Sequence, residues 1–106
     1  MPLQLLLAPV WEEVLFRGLL QGRLGRWRAG AARWKGITLA NALTGAVFAA
    51  AHLLAHPPAL APGFFAVSLL LGIARERSGG LALPIALHAA FNLLGWIALA
   101  HLPPLG

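Results

Sequence analysis

Four apolar stretches, separated by short polar or proline-rich breaks, make up most of the chain. They cover residues 3–20, 37–55, 62–74 and 81–102. A membrane-crossing helix needs about 20 apolar residues at ~1.5 Å each. The first, second and fourth stretches reach or approach that length, and the third is short for a full span. Each is expected to be helical, because backbone in lipid must satisfy its hydrogen bonds internally. Glycine and alanine recur within them, as in "ALTGAVFAAAH", and small residues let membrane helices approach closely. The pattern predicts an all-α fold with one domain over residues 1–106, a polytopic membrane helical bundle of about four transmembrane helices.

The breaks give this bundle an orientation. Arg23, Arg26, Arg28, Arg33 and Lys35 fall in one short stretch between two apolar segments, residues 22–36. Flanked in this way, they read as a cytoplasmic loop obeying the positive-inside rule and not as a nucleic-acid surface. "RERSGG", residues 75–80, belongs on the same side, and "HPPALAP" between them has no Lys or Arg and belongs on the other. Trp96 and His101 suit a membrane–water interface. Composition agrees: 59% of residues are hydrophobic, mean hydropathy is +0.78 and only 10% are charged, where a soluble domain has about a quarter. The start, "MPLQLLLAPVWEE", lacks a basic flank and carries glutamates, so no cleaved signal peptide is expected. The expected location is the bacterial cytoplasmic membrane, with the lipid bilayer as a partner. The short length and lack of repeats argue against a transporter fragment.

Polar residues inside such segments are functional candidates. Here they are Glu12, Glu13, Arg17, Asn41, His52, His88 and Asn92. Glu13 and Arg17 are four apart with the carboxylate first, the favourable order for an ion pair on one helix face. Glu12 is rotated by about 100° and has no local cation, which suits it to acid/base chemistry in apolar surroundings. A purely structural cluster of all three charges is the alternative. His88 and Asn92 also share a face, either as a pair of oxyanion donors or as a polar pair bonding neighbouring helices. His52 lies one turn after Phe48, which would cover its ring. His56, four residues on, precedes Pro57 and Pro58 and reads as interfacial, although the His52–His56 spacing suits a metal. Asn41 reads as a helix–helix contact.

The missing residue types narrow the chemistry. The chain has no cysteine and no aspartate, so thiol and aspartyl-dyad mechanisms are excluded. Its two serines, Ser68 and Ser78, sit in no nucleophile elbow and have no obvious basic partner. H-E-x-x-H does not occur.

The ordered motifs "EEVLFR", "FAAAH" and "HAAFN" resemble the E-E-x-x-x-R, F-x-x-x-H and H-x-x-x-N signature of the CAAX-processing and bacteriocin-processing intramembrane proteases. "RSGGLALPIALHAAFN" is also similar to that family's last motif. The resemblance implies a glutamate-dependent endopeptidase acting on a membrane protein or peptide. In it Glu12 and His52 would activate water, and His88 and Asn92 would steady the oxyanion. Glu13, Arg17 and Phe48 would support the site. No cofactor is expected. A zinc enzyme using His52, His56 and His88 is the less favoured version. A non-catalytic scaffold or bacteriocin self-immunity protein of the same fold is the rival of another class. Relatives usually carry further helices before the first motif, so the chain, with that motif at Trp11, resembles the core alone.

One geometric difficulty accompanies this reading. Counted from the cytoplasmic edges at ~1.5 Å per residue, His52 lies about 20 Å deep and His88 about 10 Å. A shared site requires His88 within about one turn, ~5.4 Å, of the level of Glu12.

Overall fold

The computed structural model describes residues 3–101, so the expected end of the fourth segment at Leu102 lies outside the described residues. The first segment is one continuous helical rod made of α1 (Gln4–Glu13), a π-helical stretch (Val14–Leu20) and α2 (Gln21–Arg26). A hairpin follows, with strands β1 (Arg33–Trp34) and β2 (Ile37–Thr38). Then come α3 (Leu39–His52), a 3₁₀ turn (Pro58–Leu60), α4 (Ala61–Ser78) and α5 (Ala82–Ala100). The fold is essentially all-α. Among the described residues, the helical run Pro58–Ser78 is the one that is long and apolar enough to cross a membrane, while α3 and α5 contain shorter apolar helices. It corresponds to the segment expected to be short.

The differences from expectation have local causes. The hairpin replaces part of the loop expected over residues 22–36. Lys35 and Gly36 both take positive φ, 52° and 83°, as a two-residue turn matched to strand twist requires. Arg33 thereby pairs with Thr38 and Trp34 with Ile37. Helix α3 starts at Leu39 because Thr38 is extended and its Oγ1 accepts the Asn41 N–H at 3.0 Å, an N-cap. "RERS" extends α4 to Ser78, where Gly79 turns left-handed at φ 72° and its N–H reaches the Arg75 carbonyl. Glycine tolerates that geometry without a Cβ penalty.

The core is small and largely polar. Ala40, Phe48, Ala49, Leu71 and Ala74 are buried, together with Glu13, Arg17, Gln21, Asn41, Thr44, Ser68 and His88. Asn41 joins α3 to α4 by donating from Nδ2 to the Leu69 carbonyl at 3.0 Å. Its side chain lies so close to Gly72 that a Cβ there would collide with it, the close approach small residues allow. The rod and α4 run parallel, since Arg17 bonds Ser68 and Gln21 bonds Gly72, a step of four on each.

Candidate active site

Pro9, Glu13, Arg17 and Gln21 recur every four residues and are all buried. In a regular α-helix each such step overshoots a turn by about 40°, so the row would spiral away from α4. The π-helical stretch corrects this. Its N–H groups bond five residues back, as from Gln21 to Phe16. The wider turn rotates less per residue and returns Gln21 to the buried face.

This row holds an ion-pair seam. Arg17 Nε lies 3.3 Å from Glu13 Oε1, both side chains fully buried, so the pair expected from spacing is present. Arg17 Nη2 also donates to the Ser68 carbonyl at 3.1 Å and to Ser68 Oγ at 2.9 Å. Ser68 therefore has a basic partner after all, reached from 51 positions away. Glu13 does more than pair with Arg17: its Oε2 lies 2.9 Å from His88 Nδ1. A carboxylate only accepts, so Nδ1 carries the proton and Nε2 is presented elsewhere. Nε2 faces Glu12 Oε2 at 3.7 Å.

His88 thus sits level with Glu12, and the depth difficulty has a structural answer. The rod and α5 do not start from a common edge. Leu81 lies beside Gly18, 3.5 Å from where a Cβ would stand. Six residues back from Gly18 is Glu12, and seven on from Leu81 is His88. Arg23 and Arg26 belong to the part of the rod that continues past this level, beyond Gly18.

Phe48 is the hub on the other side. Its ring lies 4.2 Å from the His52 ring, 5.9 Å from the His88 ring and 5.3 Å from the Arg17 guanidinium carbon. His52 Nδ1 lies 2.7 Å from the Phe48 carbonyl. That carbonyl can only accept, so the ring's Nε2 is left as the acceptor. Phe64 packs against His52 and His56 in tilted contacts, with centroids 4.5 and 4.9 Å away.

The four polar residues do not all open into one space. Glu12 lines a cavity of about 460 Å³ with Trp11, Phe16, His52 and His56. His88 and Asn92 line another, more apolar, of about 450 Å³, with Phe48, Phe64, Phe91 and Trp96. His52 and His56 border both. Glu12 and Asn92 therefore lie on either side of a histidine wall, linked through His88. Among the described residues no three His or Glu side chains group as a metal site, and the His52–His56–His88 set does not converge.

Three polar residues escaped the sequence reading. Ser68 was a lone serine in an apolar run. Gln21 continues the four-residue row from Glu13, a signal that was legible. Glu76, expected in a loop, lies in α4 and accepts from Thr38 Oγ1 at 2.6 Å and Gln21 Nε2 at 2.9 Å.

Comparison with known proteins agrees with the motifs. An Escherichia coli "uncharacterized 24.3 kDa protein" is 38% identical over 90 residues, 85% of this chain. The chain spans 39% of the length of that relative. No solved structure matches. The family described as Rce1-like type II CAAX prenyl endopeptidases matches residues 1–94. Since that match contains all three motifs and most of the chain, the protein belongs to the Rce1-like family of type II CAAX prenyl endopeptidases.

Proposed function

We propose that this chain forms the core of an intramembrane endopeptidase with four membrane crossings in the bacterial cytoplasmic membrane. Its substrate is a membrane-associated protein or peptide, and its nucleophile is water activated by Glu12. The carrying observation is the position of His88, fixed by Glu13 at 2.9 Å and facing Glu12 at 3.7 Å. That second gap exceeds a direct hydrogen bond, and the cavity beside Glu12 has room for the water that its carboxylate would activate. Glu12 takes a proton as the water oxygen attacks the scissile carbonyl. It returns that proton to the leaving amine when the C–N bond breaks. His52, whose Nε2 is an acceptor, orients the water. His88 and the Asn92 carboxamide steady the oxyanion. Glu13, Arg17 and Ser68 hold His88 in place without touching substrate.

The apolar cavity beside His88 supports a hydrophobic substrate segment, in keeping with the prenyl specificity in the family's description. The test is cleavage, in liposomes, of a farnesylated CAAX peptide and its unprenylated twin by wild type and Glu12→Gln. Loss of about 10²–10⁴-fold with an unchanged unfolding midpoint is expected. Wild-type cleavage by Glu12→Gln overturns the glutamate mechanism. A folded wild type that cleaves neither peptide favours the binding role of a scaffold or self-immunity protein.

A further inference from the structure

A third cavity, of about 290 Å³, opens at the Arg26 end of the rod, away from Glu12. Its walls include Arg17, Gln21, Ala31, Arg33, Arg75 and Glu76. Three arginines face one carboxylate, and that carboxylate is already engaged by Thr38 and Gln21. Among the described residues the ion pairs are Arg17–Glu13 and the two His88 contacts, so neither Arg33 nor Arg75 has a carboxylate partner. Among these lining residues the buried side-chain atoms with no hydrogen-bond partner are Arg17 Nη1, Arg75 Nε, Arg17 Nε (within ion-pair reach of Glu13) and the acceptor Gln21 Oε1. Arg17 itself is fully buried. Leaving such donors unsatisfied is unfavourable, and more so when they are charged.

The surroundings select for an anion. Backbone bonds from Leu39 to the Ala32 carbonyl (2.9 Å) and from Ala40 to the Gly30 carbonyl (2.8 Å) hold the hairpin against the cavity. Outside it, Arg23, Arg26, Arg28 and Lys35 are exposed. Trp27 and Trp34 are also exposed, with Lys35 Nζ 4.8 Å from the Trp34 ring. Basic pockets between membrane helices on the cytoplasmic side suit phosphate-bearing headgroups, and indole rings suit the headgroup level.

We propose that the cavity walled by Arg17, Arg33 and Arg75 binds a phosphate-class oxyanion, carried on a lipid headgroup or free in solution. Arg33 and Arg75 provide the charge. Arg17 Nη1 and Arg75 Nε provide the buried donors. This cavity is separate from those lined by Glu12, His88 and Asn92, and Arg17 connects to them through its ion pair with Glu13.

The test uses the full chain in neutral detergent, titrated with inorganic phosphate against sodium chloride of equal ionic strength. In parallel, its retention is measured on phosphatidylcholine vesicles with and without phosphatidylglycerol. Saturable binding in at least one arm is expected. It should weaken about tenfold or more in Arg33→Gln/Arg75→Gln, each lost bond being charge-assisted. The same loss is expected in Ala31→Glu, which adds a carboxylate at an exposed wall position and leaves the arginines in place. Binding in the phosphate arm alone assigns a free anion, and binding in the phosphatidylglycerol arm alone assigns a headgroup. The proposal is overturned if neither probe binds, or if binding by the folded Ala31→Glu protein matches wild type.

Discussion

The buried seam and the open face of this bundle use the same residue types in opposite ways. In the seam, Glu13, Arg17 and Ser68 are almost wholly enclosed, and each has partners on another element or turn. At the open face, Glu12 is partly exposed and its polar neighbour is His88 at 3.7 Å, while His52 and His56 border two cavities. Adjacent glutamates on one helix are thus separated by burial. The enclosed one holds the His88 ring at 2.9 Å, and the half-open one borders a cavity with room for water. A charge enclosed beside a fixed counter-charge is a poor reactant, because changing partners would leave that counter-charge buried alone. A charge with one open side can change partners during a reaction.

The largest expected effect lies in the seam. Arg17→Met leaves Glu13 buried without its cation, which costs about 3–5 kcal/mol. Unfolding in mild detergent should show a lower midpoint or no folded protein. Glu13→Gln together with Arg17→Met should cost less than the sum of the two single changes, since each removes the other's partner. An additive result would separate these two residues energetically and dissolve the seam. At the open face, Asn92→Ala should lower kcat by about 10²–10³-fold as an oxyanion donor, with less loss of stability than Arg17→Met. If the unfolding midpoint falls as far as in Arg17→Met, Asn92 belongs with the structural residues instead. Ser68→Ala removes one acceptor of Arg17 and should cost about 1–3 kcal/mol, with the Ser68 carbonyl still in place. His56→Ala is the smallest: an exposed ring, its removal should shift stability by less than about 0.5 kcal/mol and leave kcat within a few-fold of wild type.

The legible part of this site was whatever follows from spacing on one helix. The Glu13–Arg17 pair and the common face of His88 and Asn92 are four-residue relations, visible in the order of residues. What lay hidden depends on the relation between elements. The Glu13–His88 contact joins residues 75 apart, and its existence depends on Leu81 docking at Gly18, which sets the level of α5. Counting from assumed membrane edges could not supply that level. The π-helical stretch has no composition signal in "VLFRGLL", yet it keeps Gln21 on the face with Arg17. The hairpin's Lys35–Gly36 turn was masked by its setting in a run of positive charge. Glu76 read as a loop residue because "RERS" is polar, although the left-handed Gly79 marks where the helix ends.

The asymmetry of the two glutamates is tested most directly by measuring cleavage and unfolding together in Glu12→Gln and Glu13→Gln, reconstituted side by side. Glu12→Gln should unfold at the wild-type midpoint and lose cleavage by about 10²–10⁴-fold. Glu13→Gln should lose folded protein, or melt well below wild type. A Glu12→Gln protein that cleaves like wild type, or equal loss of folding in both variants, would contradict the division between an orienting and a reacting carboxylate.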